Sequence, residues 1–190
     1  MPPKAKFSKE EIIDAALSVI RTEGAQALTA RSLGAELNSS SRPIFTTFQN
    51  MEEVQKEVFK GACDLFQNRQ REYMINSKYP PVQADGLAYI QFAREETELF
   101  KLLYMRNRKR EEKKAIQQEP NEVIEFIQKD TGLCFEKALQ LDLEMWIYAH
   151  GIATMIATNY SDWDWETICT MLTDAYEGLK YRFQCKADSQ

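Results

Sequence analysis

Residues 29–48 read TARSLGAELNSSSRPIFTTF, which predicts two short helices joined by a tight polar turn. Thr29 is a good N-cap, because its hydroxyl can accept a hydrogen bond from an early helical N–H. Small or apolar residues then recur at helical spacing along one face of the first helix. They are Ala30, Leu33, Gly34 and Leu37.

The turn between these helices is polar. Asn38 tolerates the left-handed conformation in which many helices end, and Ser39 and Ser40 are natural caps for the helix that follows. In that second helix, three apolar residues are expected to face fully or partly inward. Two arrangements fit the pattern: a helix-turn-helix unit, whose second helix lies in the DNA major groove, or two ordinary packed helices. The inward residues are Ile44, Phe45 and Phe48.

The composition of the chain indicates an all-α protein with a substantial core. Of its 190 residues, 44% are hydrophobic and 11% are aromatic. Its seven glycines and six prolines are few for the length, and β-branched residues rarely alternate with polar ones. Helix-forming residues therefore dominate.

The net charge of −5 argues against a protein that coats nucleic acid through bulk positive charge. A specific DNA-binding protein with a small basic face on an acidic body remains compatible with it. Residues 1–50 contain six Lys or Arg against five Asp or Glu. Any positive patch there must come from the placement of the side chains.

Neither a catalytic site nor a metal site is predicted. The four cysteines are scattered without metal-ligand spacing and fit reduced thiols in the cytoplasm. The chain has no phosphate-binding glycine loop, nucleophile elbow or HExxH motif. Its N-terminus lacks a signal sequence, and no run is apolar enough to span a membrane. We therefore expect a cytoplasmic protein that is not an enzyme and uses no cofactor.

Capping signals predict the first and fourth helices. Ser8 and Glu11 have the spacing of a capping box, and Gly24 ends the helix that follows. Asn50 is the N-cap of a long amphipathic helix that runs to about residue 77 and ends before two prolines. Its first turns are needed to close a small N-terminal core.

The chain is predicted to form two domains. Residues 7–67 form a three-helix helix-turn-helix domain, with the motif at 29–48. Residues 68–185 form a larger helical domain. Further helices are predicted at 85–95, 98–105, 121–130, 135–159 and 165–183.

The last two helices have apolar residues at intervals near 3.5, which fits either a four-helix interface between two copies or an intramolecular core. We expect the homodimer. The charge run at residues 106–119 fits a solvated helix end and loop better than a nucleic-acid patch. The seam residues are Leu139, Leu143, Trp146, His150, Thr154, Ile168, Leu172, Ala175, Leu179 and Phe183.

Residues 7–67 resemble the N-terminal domain of the TetR family of bacterial transcriptional regulators. The resemblance rests on IIDAALSVIRTEG, ALTARSLGAEL and the pattern SxxxIFxxFxNMEEV. Residues 146–151, WIYAHG, are also similar to a Trp…His-Gly pattern in one subgroup of the family's ligand domains. The resemblance implies a regulator that binds DNA through residues 7–67 and is controlled by a ligand, with residues 68–185 as its effector-binding and dimerisation domain.

The helix-turn-helix departs from the usual TetR residues. Phe45 stands where a tyrosine is usual, and Gln49 and Met51 are neutral where a lysine is common. Both changes remove phosphate contacts, which would weaken the salt dependence of binding. Arg42 stands where a glycine is frequent, and its guanidinium could bind a guanine edge or a phosphate.

The resemblance implies two sets of binding residues. For His150 two roles stay open: a hydrogen-bonded packing residue or an effector contact. Each aromatic residue of the second set could equally belong to the core. The DNA-binding set is Lys6, Thr29, Arg31, Ser40, Ser41, Arg42, Phe45 and Thr46, and the effector-binding set is Tyr89, Phe92, Phe100, Tyr104, Phe126, Trp146, His150 and Met155.

These observations predict a transcriptional regulator, most simply a repressor. Its partners would be a palindromic double-stranded operator and a largely apolar small-molecule effector that releases it from the operator. The alternative is a helical ligand-binding or interaction protein whose DNA-binding face is weakened, as Gln49, Met51 and Phe45 suggest.

Overall fold

The computed structural model of the chain describes residues 6–106 and 121–187, with side chains as far as residue 185. Both ranges consist of helices joined by short loops, and neither contains a strand, which confirms the all-α prediction. The charge run at 106–119 lies outside the described residues except for Arg106. The helices are α1 (Lys9–Glu23), α2 (Ala30–Glu36), α3 (Ile44–Thr47), α4 (Met51–Asn76), α5 (Pro81–Glu95), α6 (Thr97–Tyr104), α7 (Glu122–Thr131), α8 (Phe135–Ala157) and α9 (Trp165–Ala187).

The described residues form two compact units. The first contains the residues up to Asn68 together with Glu96–Arg106, and the second contains Arg69–Glu95 together with the residues from 121 onwards. Helix α4 therefore begins in the first unit and ends in the second. Helix α6 belongs to the first unit, although it follows residue 67 in the chain. The functions assigned to the two predicted domains remain predictions.

Side-chain caps determine where α1 and α2 begin. The Ser8 hydroxyl accepts from the Glu11 N–H at 3.1 Å, and the Glu11 carboxylate accepts from the Ser8 N–H at 2.7 Å. These two bonds form the predicted capping box. The Thr29 hydroxyl likewise accepts from the Ser32 N–H at 3.1 Å. Both predicted N-caps are confirmed.

The start of α3 differs from the prediction of a serine cap. Its N-cap is Pro43, and no side chain caps its first turn. Backbone bonds begin the helix instead: the Ile44 N–H donates to the Ser41 carbonyl at 3.2 Å, and the Phe45 N–H donates to the Arg42 carbonyl at 3.2 Å. The fixed φ of proline already suits a helix start, so no serine cap is needed.

An ion pair joins two helices of the first unit. Arg21 at the end of α1 donates from Nε and Nη2 to the two carboxylate oxygens of Glu96, at 2.8 and 3.2 Å. Glu96 is only 7% exposed, and it immediately precedes α6. This bidentate pair therefore holds the start of α6 against α1. The unit buries Ile12, Ile20, Leu33, Ile44, Phe48, Val54, Val58, Leu99 and Phe100.

Helix α5 begins four residues earlier than predicted. It starts at Pro81, because proline is favoured at the first helical position, where its missing N–H costs no hydrogen bond. The Ala84 N–H donates to the Pro80 carbonyl at 2.8 Å, which sets the first turn. The two prolines thus begin α5 as well as follow the end of α4 at Asn76.

Helices α5, α7, α8 and α9 bury one apolar core in the second unit. Helix α7 is capped by Asn121, whose side chain accepts from two backbone N–H groups, and it ends at Gly132 in the left-handed conformation. Within the described ranges, no helix is long and apolar enough to cross a membrane. The core includes Leu87, Ile90, Ile124, Ile127, Leu141, Ile168 and Leu172.

Candidate functional site

Helices α2 and α3 each bury apolar side chains, and the turn between them lies close to Gly34 of α2. Leu33, Ile44 and Phe48 are buried in the core of the first unit. Asn38 adopts a positive φ of 49°, which reverses the chain after α2 as the sequence predicts. A Cβ added to Gly34 would lie 3.0 Å from the Ser41 nitrogen, so the turn passes directly over α2. The two helices and this turn therefore form a helix-turn-helix.

The predicted DNA-binding side chains lie mostly on the surface of this helix-turn-helix. Phe45 is 43% exposed, whereas Ile44 before it and Phe48 after it are buried. Ser41 is half-buried, and Arg42 is exposed just before Pro43 and α3. The other exposed members of the set are Lys6, Thr29, Arg31, Ser40 and Thr46.

Some of these groups already have partners within the chain. The Thr29 hydroxyl caps α2, and the Thr46 hydroxyl donates to the Pro43 carbonyl at 2.6 Å. Lys6 Nζ donates to the Ser39 hydroxyl at 3.0 Å, which places its ammonium group beside the turn. The two threonines therefore have local structural roles, and their contacts with DNA remain a prediction.

The predicted effector-binding residues do not form one cluster. Phe100 and Tyr104 belong to the first unit, where their ring centroids are 5.2 Å apart. The other six belong to the second unit. Tyr89 and Phe92 are buried there, Phe126 and His150 are half-buried, and Trp146 and Met155 are exposed.

Three of the six form an aromatic group between α5 and α8. The Tyr89 hydroxyl and His150 Nδ1 are 2.9 Å apart and share a hydrogen bond. The Trp146 indole stacks on the His150 ring, with centroids 5.2 Å apart and planes 12° apart. Burial lowers the pKa of His150, which favours the neutral imidazole at pH 7. These contacts give His150 a packing role, and an effector contact remains a prediction.

A cavity of about 630 Å³ lies within residues 69–95 of the second unit. It opens between the last turns of α4, the connecting loop and one face of α5. Phe92 is the only effector-binding residue predicted from the sequence that lines it. The cavity is lined by Arg69, Glu72, Tyr73, Asn76, Ser77, Lys78, Tyr79, Ala88, Gln91, Phe92 and Glu95.

Most of this lining was not predicted from the sequence, because an effector pocket was expected to be lined by apolar and aromatic residues. The lining mixes charged, amide and aromatic groups, unlike the largely apolar pocket that was expected. The sequence feature that could have indicated this lining is REYMINSKY, residues 71–79, where charged and aromatic side chains occur together at the end of an amphipathic helix. An exposed polar surface has the same pattern, so the sequence alone does not separate the two.

Two carboxyl groups lie close together inside the second unit, away from the cavity lining. Burial and the neighbouring carboxylate of Asp142 raise the pKa of Asp85 to about 6, and a hydrogen bond from Gln70 opposes this rise. The Gln70 amide donates to Asp85 Oδ1 at 2.6 Å. The described residues contain no group of three or more side chains placed to bind a metal ion.

Helix α8 presents apolar residues to solvent. Leu143, Ile147 and Met155 are exposed, and Ile147 is 56% exposed. A Cβ added to Gly151 would have no atom within 4 Å, so the backbone itself is open between them. We call these four residues the α8 apolar face. On α9, by contrast, the predicted seam residues Ile168, Leu172 and Phe183 are buried within the unit.

Solved structures of transcriptional regulators have a similar fold. A TetR variant from Acinetobacter baumannii AYE, solved in complex with minocycline, has a TM-score of 0.60 at 15% identity, covering 94% of this chain and 97% of that one. A TetR-like transcriptional regulator from Rhodococcus sp. RHA1 has a TM-score of 0.63 at 13% identity, covering 96% and 97%. No protein-family model and no curated protein sequence matches the chain. The chain therefore has the TetR fold, and at these identities the likeness shows the fold alone.

Proposed function

We propose that this protein is a homodimeric, sequence-specific DNA-binding transcriptional regulator, and that it is a repressor released from a palindromic operator by a small-molecule effector. The observation that supports this most directly is the helix-turn-helix, whose inner residues are buried while Arg42, Ser40 and Phe45 remain exposed around α3. The cavity in the second unit supports control by a small molecule. One similar structure, the TetR variant, holds minocycline.

The exposed residues suggest how the DNA would be bound. Lys6 and Arg31 would contact phosphates, which sets the position of α3 along the duplex without reading its sequence. Arg42 would read a base edge, because a guanidinium can donate two hydrogen bonds to O6 and N7 of guanine. Two copies would place their α3 helices in major grooves about 34–36 Å apart, or a multiple of this spacing.

The α8 apolar face would join the two copies. Exposed aliphatic side chains in one row are costly on a monomer and are covered in a dimer. A two-fold axis would place this face against its own copy, since such interfaces are self-complementary. Helix α9 would flank it with its own exposed surface.

Effector binding would act on the equilibrium between dimers of different geometry. An effector weakens DNA binding only when it binds the DNA-free conformation more tightly than the DNA-bound one. Helix α4 is the proposed lever, because its first turns belong to the unit with the helix-turn-helix and its last turns line the cavity.

We expect Arg42→Ala to lower operator affinity about 10- to 100-fold, because one good base contact is worth about 1–3 kcal/mol. The measurement is electrophoretic retardation on DNA upstream of the protein's own gene, with scrambled DNA as competitor. Arg71→Ala is the matched control, because Arg71 is an exposed arginine outside the first unit. Wild-type protein that shifts both DNAs equally at low salt would contradict the proposed function.

We expect Ile147→Glu to weaken the dimer about 100-fold or more, since two carboxylates would be buried against apolar partners across the two-fold axis. Sedimentation or light scattering across a dilution series measures the change, and operator binding should fall with it. Ile75→Glu is the control, because Ile75 is 75% exposed near the end of α4, far along the chain from α8. Wild-type protein that stays monomeric at micromolar concentration would exclude the proposed interface.

A second function is a helical ligand-binding or interaction protein without operator DNA. The neutral Gln49 and the exposed ring of Phe45, where a hydroxyl would bind phosphate, favour it. The retardation experiment separates the two functions, because this alternative has no sequence-specific shift at any salt concentration.

A further inference from the structure

We propose that the cavity within residues 69–95 binds a zwitterionic small molecule with a flat apolar body. This inference rests on the proposed function, because it names the chemical class of the effector. The volume of about 630 Å³ lies within the range of drug-sized ligand sites, about 300–1,000 Å³. The volume of the cavity, its aromatic walls and the charges of its lining together select the class.

The charges of the lining balance. Arg69 and Lys78 supply two cations, and Glu72 and Glu95 supply two anions. Arg69 Nη1 lies 3.0 Å from Glu95 Oε2, and the other Glu95 oxygen accepts from the Gln91 amide at 2.6 Å. Within the described ranges, Glu72 and Lys78 have no ion-pair partner, and the Lys78 ammonium group lies over the Tyr79 ring, 5.3 Å from its centroid. Both charges can therefore pair with a ligand of opposite charge.

Aromatic side chains supply the apolar walls. Phe92 is 2% exposed, so it lies at the buried end of the cavity. The Tyr79 hydroxyl accepts from the Cys169 thiol at 3.4 Å, which ties the connecting loop to α9. Burial raises the pKa of Tyr73, and the thiol contact raises the pKa of Tyr79, so both rings stay neutral at pH 7. The cavity therefore combines neutral rings with two charges of each sign.

An uncharged ligand would be a poor occupant. It would displace water from Glu72 and Lys78, which have no ion-pair partner within the described ranges, and offer them no hydrogen bonds in return. A ligand with a single charge would satisfy groups of one sign and crowd those of the other. A zwitterion can place its carboxylate by Arg69 and Lys78 and its ammonium group by Glu72 and Glu95, so that every charge is paired.

Four dansyl compounds test this with one constant aromatic body. Nε-dansyl-lysine carries both charges, dansylcadaverine lacks the carboxylate, 6-(dansylamino)hexanoic acid lacks the ammonium group, and N-pentyl-dansylamide lacks both. Binding to the full-length protein is followed by the rise in dansyl emission in a dry site, without DNA. We expect dansyl-lysine to bind at least about tenfold more tightly than each of the other three.

Matched variants locate the binding. Arg69→Gln should bring the affinity for dansyl-lysine down towards that for dansylcadaverine, and Glu95→Gln should bring it towards that for the hexanoic acid. The controls are Arg71→Gln and Glu125→Gln, which remove one exposed charge of each sign outside the lining and should change nothing. Circular dichroism of each variant shows whether it is folded.

The outcomes are decisive in both directions. Equal affinity for all four compounds, tightest binding by the pentyl compound, or no binding of dansyl-lysine at about 10 mM would overturn the inference. Loss of the preference in the control variants would also overturn it. Operator retardation by the same wild-type sample distinguishes the two proposals. Specific DNA binding without a preference for dansyl-lysine would contradict only the proposed ligand class. A preference for dansyl-lysine without specific DNA binding would contradict the proposed regulator function.

Discussion

Gly34→Val is expected to destabilise the first unit by about 3 kcal/mol or more and to abolish operator binding. A Cβ at this position would lie 3.0 Å from the Ser41 nitrogen, 3.1 Å from the Ser40 carbonyl carbon and 3.2 Å from the Ser39 oxygen. All three are backbone atoms, so no side-chain rotation can relieve the contact. The turn would have to move away from α2, and α3 would move with it.

The loss is large compared with the total stability of a domain, which is about 5–15 kcal/mol. Urea unfolding followed by circular dichroism measures it, and the same samples are tested for operator retardation. Ala35→Val is the matched control in the same helix, because Ala35 is exposed and the substitution costs only helix propensity, under about 1 kcal/mol. Equal midpoints for the two variants would mean that the turn does not pass over Gly34 as described.

Asp85→Asn is expected to stabilise the protein by about 2–3 kcal/mol near pH 8 and to have little effect near pH 4. The folded-state pKa of Asp85 is about 6, above the ordinary 3.8, because the carboxyl is buried beside Asp142. Between these pH values the folded state binds the proton more tightly than the unfolded chain does. The free energy of unfolding of the native protein therefore falls as pH rises from about 4 to about 6. Above this range the full cost of the buried, ionised Asp85 carboxylate is present.

Asparagine removes this penalty and keeps the oxygen that accepts the 2.6 Å hydrogen bond from Gln70. Chemical denaturation of both proteins at a series of pH values gives the difference in unfolding free energy. Asp64→Asn serves as control, since Asp64 is exposed on α4 and its substitution should change stability by under about 0.5 kcal/mol at either pH. A gain that is the same at both pH values would show that Asp85 does not ionise with a raised pKa.

The helices and their caps were predictable because they depend on neighbours a few residues apart. The Ser8–Glu11 capping box, the Thr29 cap and the left-handed Asn38 each involve atoms within one or two turns. The errors are local too. The serine cap of α3 and the late start of α5 were wrong because a proline, whose fixed φ already suits a helix start, begins each of these helices.

For the proposed DNA-binding residues, the sequence predicted exposure at the surface in most cases. The apolar spacing correctly predicted Leu33, Ile44 and Phe48 as interior, but it also predicted Phe45 to face at least partly inward, and Phe45 is 43% exposed. The cavity was less accessible to this reasoning. Its walls are formed by α4 and α5. The residue pattern of neither helix indicates which of its polar faces lies against the other helix.

The sequence by itself determined where helices form and which face of each is apolar, since both follow from propensity, capping and the 3.6-residue period. Only the tertiary structure decided which faces meet. It brings Arg21 to Glu96 across 75 residues, Tyr89 to His150 across 61, and α6 into the same unit as α1. Such pairs depend on how whole helices pack, because many partners of similar polarity compete for each position and only close packing excludes the others.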